Sequence, residues 1–231
     1  MSRKAQFFVG LTIVSGVCLV AYCLAGEARA VLSSAYLVAI LLALAASTLK
    51  VRLPGITGTI SVNFLFILIA IAVFTFAETV LLASVACIVQ CLWRPRSRPR
   101  LVQVSFNVAA LAISSGASYR LAHLFAGGPV SHLAILLAVA ASFYFTADTL
   151  LVSGVLSLVQ GKSLFNVWEQ CYLWSLPYYL AGAAIAGLVV ATNRAAGWAM
   201  SLSILPLMCL VYVFYRICVE RLGRRAAVTA S

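Results

Sequence analysis

Negative charge is scarce in this sequence: Asp and Glu together number five in 231 residues, and charged residues of all kinds make up only 9%. A soluble domain carries about 25% charged and roughly 45 to 50% apolar residues, so a hydrophobic share of 64% excludes an ordinary aqueous domain. Long polar segments are missing too. Apolar runs recur from residue 7 to residue 217 with no more than about a dozen residues between them, which leaves no room among them for a folded soluble domain.

Histidine occurs only at His123 and His132, and no CxxC spacing joins any of Cys18, Cys23, Cys87, Cys91, Cys171, Cys209 and Cys218. These absences exclude a zinc site and a disulfide framework. The two histidines flank the loop HLFAGGPVSH without further ligands, too little for haem or metal. No Ser-His-Asp set, no carboxylate pair at metal-binding spacing and no phosphate-binding glycine loop is present. The expectation is therefore a protein without catalytic residues, metal or cofactor. Cys87 and Cys91 share a helical face at i, i+4 and read as small apolar packing residues.

What is present is a basic, helical, membrane-embedded chain. Only helices or closed barrels satisfy every backbone group in lipid, and these runs are far longer than barrel strands. The fold class is all-α: a polytopic transmembrane helical bundle over 1–217, followed by a short basic tail over 218–231. The apolar runs resolve into about eight spans at 7–25, 33–49, 61–76, 78–93, 102–125, 131–155, 170–191 and 198–217. The first run is ~19 residues, longer than the ~7 to 15 of a signal-peptide core, so it is expected to stay as a helix.

The net charge of +11 fits orientation better than nucleic-acid binding, because the basic runs are short and lack interleaved stacking residues. With the N-terminus and C-terminus cytoplasmic, eight spans leave only Arg29, Arg120 and Arg194 outside and put the other thirteen of the sixteen Lys and Arg inside. One tilted span over 61–93 would carry the RPRSRPR loop to the opposite side from Lys50 and Arg52 and destroy this asymmetry. A hairpin is expected there instead, with Glu78 at its outer bend. Ser61-Val62-Asn63 and Ser105-Phe106-Asn107 open two spans alike, a match too short to carry a repeat.

Candidate functional residues are the polar ones inside apolar spans. An ionisable group at membrane depth costs at least ~2.5 to 3.5 kcal/mol, so Asp148 in YFTADTLLVSG needs a partner, a water cavity or a proton. Asn63, Gln90, Gln103, Asn107 and Asp148 all fall in the cytoplasmic halves of their spans, and Glu169 and Tyr172 enter the seventh from the same side. They form either a ligand pocket or switch, or interhelical bonds worth roughly 0.6 kcal/mol each. Ser61 and Asn63 are expected to cap the third helix. Trp168, Tyr172 and Trp174 read as an interfacial aromatic belt. Pro177 is expected to kink the seventh span about seven residues in, and Tyr178 and Tyr179 follow it. Gly154, Gly182 and Gly187 are close-packing points.

Four stretches, RLPGITGTISVNFLFILIAI (52–71), ETVLLASVACIVQCLWRPRSRPRLVQVSFNVA (78–109), DTLLVSGVLSLVQGKSL (148–164) and WEQCYLWSLPYYLAGAAIAGL (168–188), give the chain a family likeness. It resembles the N-terminal membrane-associated sensor (MASE-type) domain of bacterial HD-GYP and GGDEF signalling proteins, which work in cyclic di-GMP signalling. The resemblance implies a sensory input bundle in the bacterial inner membrane, embedded in the lipid bilayer. Its partners would be a cytoplasmic or membrane signalling protein, a small ligand of unknown identity and a second copy of itself in a homodimer. In that family the last helix runs into an output domain, whereas 14 residues follow Ile217 here; the expectation is an input module without its own output domain. Two other functions compete. One is a small-solute binding or transport protein of the importer substrate-binding type, using the same polar cluster, Pro177, the tyrosine pair and the Gly55–Gly58 loop as a gate. The other is a scaffold for another membrane protein.

Overall fold

A computed structural model describes residues 2–27, 33–52, 59–95, 98–126, 133–171, 175–196 and 213. Its elements are helices α1 (Arg3–Glu27) and α2 (Ser34–Thr48), a ribbon of β1 (Lys50–Arg52) and β2 (Thr59–Ser61), then α3 (Phe64–Val73), α4 (Phe76–Leu92), α5 (Leu101–Phe125), α6 (Leu133–Gln160), α7 (Leu164–Cys171) and α8 (Leu176–Ala196). The two strands pair antiparallel, Lys50 opposite Ser61 and Arg52 opposite Thr59. Among the described residues the regular structure is helical apart from this ribbon, which the sequence did not announce.

Four helices are long and apolar enough to cross a membrane: Arg3–Gly26, Leu101–Phe125, Leu133–Gln160 and Leu176–Arg194. At about 1.5 Å per residue each reaches about 28 Å or more, the thickness of a hydrocarbon core. The chain is a membrane protein. Its outward faces agree: Phe7, Leu11, Val14, Val17 and Tyr22 form an exposed apolar stripe along α1, opposite the buried stripe Ala5, Val9, Thr12, Gly16 and Cys23. In water such a stripe would be a liability; against lipid it costs nothing.

The expected spans at 33–49 and 78–93 correspond to helices of 15 and 17 residues. The third differs most. Instead of 61–76 it is a ten-residue helix, about 15 Å long and half of what a crossing needs. Every residue from Val62 to Ile71 is buried. A helix apolar all round is a helix enclosed by others, and α3 touches α2, α4, α5, α6 and α8. The span expected at 198–217 lies outside the described residues apart from Val213, as does the tail 218–231.

The helices alternate in direction. Ser2 at the start of α1 hydrogen-bonds the Leu158 carbonyl near the end of α6 at 3.4 Å, and Gly154 of α6 faces the Phe8 ring. Gly16 and Gly116 place α1 and α5 side by side, against Ala109 and Leu19. We call the end that carries the ribbon and α7 the ribbon end. At the opposite, turn end, α3 passes into α4 through Phe74 and Thr75. There Thr75 caps α4 by accepting from the Glu78 amide while the Glu78 carboxylate accepts from the Thr75 amide. This capping box makes Glu78 the bend residue that the sequence points to. Tyr36, at the start of α2, ties in by donating to the Glu78 carbonyl at 2.9 Å.

Candidate functional site

Cys87, Gln90 and Cys91 lie at i, i+3 and i+4 on α4 and so face one way. Three neighbouring helices send polar groups to that single turn. From α3, Asn63 donates to the Gln90 side-chain oxygen at 3.1 Å. From α5, Asn107 donates to the Cys91 sulfur at 3.5 Å. From α6, Asp148 lies near enough to Cys87 for a charge on one to be felt by the other, and Cys87 hydrogen-bonds Cys91. Tyr144, one turn before Asp148, is fully buried beside it. Asn63, Gln90, Asn107 and Asp148 are thus brought to one turn of α4, the first two as a bonded pair and the last two beside Cys91 and Cys87.

Asp148 is half-buried and makes no hydrogen bond or ion pair with any described residue. The cluster is graded from closed to open: Asn63 is buried, Gln90 and Asp148 are intermediate, and Asn107 is exposed. Chemically this is a cluster of amides and thiols beside a carboxylate, able to exchange hydrogen-bond donors. No group of three or more His, Cys, Asp or Glu that could hold a metal occurs among the described residues.

Comparison with family models, with curated proteins and with solved structures gives no match for this chain.

An aromatic layer lies beside the cluster. Tyr178 and Tyr179 pack on the Phe64 ring with centroids 4.8 and 4.9 Å away, and Tyr179 also meets Phe145 at 5.2 Å and Tyr144 at 6.0 Å. Trp168 of α7 donates through its indole nitrogen to the Thr149 hydroxyl at 2.9 Å. Thr149 in turn donates to the Phe145 carbonyl at 2.6 Å. The tyrosine pair is therefore core packing between α3, α6 and α8, and α7 is latched to the helix that carries Asp148.

Other expected site residues go elsewhere. Gln103 is exposed, and its side chain accepts from the Arg100 amide at 3.0 Å; it closes the first turn of α5 and takes no part in the cluster. Glu169 is exposed on α7. Tyr172 lies outside the described residues, as do Trp174, His132 and the Gly55–Gly58 loop. Pro177 makes no kink: the apolar run breaks between α7 and α8, and Pro177 is the second residue of α8, where its missing N–H has no intrahelical partner to lose. Asn63 precedes α3 but makes no side-chain cap bond, because its amide is turned to Gln90. His123 stacks on Tyr119 with centroids 4.1 Å apart.

Cys87 and Cys91 are the functional candidates that sequence reasoning missed. Their i, i+4 spacing was the signal; what hid them was that a thiol in an apolar run ordinarily packs as a small hydrophobe.

Proposed function

We propose that this chain is a sensory input module of bacterial signalling, of the membrane-associated sensor type, seated in the inner membrane with both termini cytoplasmic. A ligand or a change in membrane state shifts the packing of the α4 turn around Asp148, and the C-terminal part of the chain relays the shift to a cytoplasmic partner of the cyclic di-GMP class. The observation that supports this reading is the convergence of side chains from α3, α5 and α6 on one turn of α4. A carboxylate held half-buried in lipid surroundings is expensive, and an element whose two packings differ by little in energy is what a stimulus can bias. The eight-span count and the sidedness are parts of the same proposal.

The test is a fusion of a reporter output domain after Arg225, compared with and without Asp148→Asn. The proposal expects the substitution to lock or abolish the response to stimulus while the protein stays folded; unchanged output under every stimulus tried counts against it. Transport draws less support: Tyr178 and Tyr179 are occupied in packing against Phe64, and Pro177 is exposed at the start of α8.

A further inference from the structure

A cleft of about 390 Å³ opens at the turn end, far from the polar cluster, between Ala35–Leu42 of α2, Phe66–Val73 of α3 and Val189–Arg194 of α8. It falls within the roughly 300 to 1,000 Å³ of small-molecule sites. Its walls are apolar for two turns along α2, about 10 Å, and among the described residues its polar side chains are Asn193 and Arg194, together at the C-terminal end of α8. Val73 lines the cleft and is itself 51% exposed, so the cleft is open at its rim.

Arg194 is exposed and meets no acid within the described protein. Of the acidic side chains described, Glu78 is engaged in the Thr75 capping box, and Asp148 and Glu169 belong to the ribbon-end half. An apolar slot inside a membrane protein with an exposed arginine at its mouth matches one ligand chemistry: a hydrocarbon chain carrying an anionic head.

We propose that this cleft holds an acyl chain of an anionic phospholipid of the surrounding bilayer, with the phosphate on Arg194. Lipid tails are as apolar as the cleft walls, so the chain gains little by leaving the bilayer. Selectivity therefore rests on the head group, at the strength of one basic side chain near the membrane surface, a factor of about five.

The experiment reconstitutes the full chain in nanodiscs of equimolar phosphatidylglycerol and phosphatidylcholine and counts, by native mass spectrometry, the lipids retained on release. Wild type is expected to retain phosphatidylglycerol over phosphatidylcholine, and Arg194→Gln to lower that ratio about fivefold. Arg120→Gln removes a charge at the same end, where Arg120 lies over Phe76, and is expected to leave the ratio unchanged. Ala39→Phe fills the cleft and is expected to reduce retention of both lipids. An unchanged ratio in Arg194→Gln overturns the proposal, as does an equal loss in Arg120→Gln, which marks a diffuse surface-charge effect. Both arginines are exposed, so these two variants decide the matter even if Ala39→Phe fails to fold.

Discussion

Asn63 and Gln90 stand 27 positions apart and share a hydrogen bond of 3.1 Å. In one continuous helix they would lie about 40 Å apart, so the bond establishes that α3 and α4 fold back on each other at Phe74 and Thr75. The same fold-back delivers Gln90, Cys87 and Cys91 to the level of Asp148. The local cause is the Thr75–Glu78 capping box, which starts α4 afresh rather than letting α3 continue.

That bond is expected to be worth about 0.6 kcal/mol, the average for a hydrogen bond between membrane helices. Asn63→Ala and Gln90→Ala should each lower stability modestly in detergent unfolding, and the double variant should lose no more than the larger single loss plus a few tenths. Fully additive losses would show that the two amides do not act as a pair.

Gly16 and Gly182 sit where a side chain has no room, the first against the Ala109 backbone and the second against the Phe64 ring. Gly10 has nothing within 4 Å. Substitution by alanine is expected to cost about 1 to 3 kcal/mol at Gly16 and Gly182. It should be neutral or slightly favourable at Gly10, where helix propensity alone acts. Thermal melting in one detergent ranks the three; equal melting points would contradict the close approach of α1 to α5 and of α3 to α8.

Pro177→Ala should change stability by less than about 0.5 kcal/mol, because the residue is exposed in the first turn of α8. A kink-forming proline would behave differently, and a large loss in melting temperature would restore that reading.

Trp168→Phe keeps the ring but removes the donor to Thr149. The expected loss is about 1 kcal/mol, expressed as faster amide exchange confined to α7, while α6 keeps its protection. Exchange that rises equally in both helices would mean that α7 is not separately latched.

The helical membrane class and the Glu78 bend were legible in the sequence, because each rests on the cost of placing polar groups in lipid; for Asn63, Gln90, Asn107 and Asp148 the sequence offered a common depth, and which of them touch is set by how α3, α5 and α6 pack on α4. The shortness of α3 was not legible, since Phe64 to Val73 reads as apolar however the helix is enclosed. The start of α8 at Leu176 was hidden because hydropathy runs on through residues 172 to 176. Gln103 was not legible: its side chain accepts from the Arg100 amide, but Arg100 lacks the side-chain acceptor that would mark a capping box in the sequence. The 390 Å³ cleft arises from three helices distant in sequence, and no local pattern encodes it.

The central claim is that α3 and α5 both present an amide to one turn of α4. Oxidative cross-linking in native membranes tests it directly, with Asn63→Cys paired to Gln90→Cys in one variant, and Asn107→Cys paired to the native Cys91 in another. All remaining cysteines are replaced by alanine. The account predicts that both pairs form disulfides within the chain, whereas a control pairing Gln103→Cys with Cys91 does not. Failure of both pairs, or cross-linking of the control at the same rate, would contradict it.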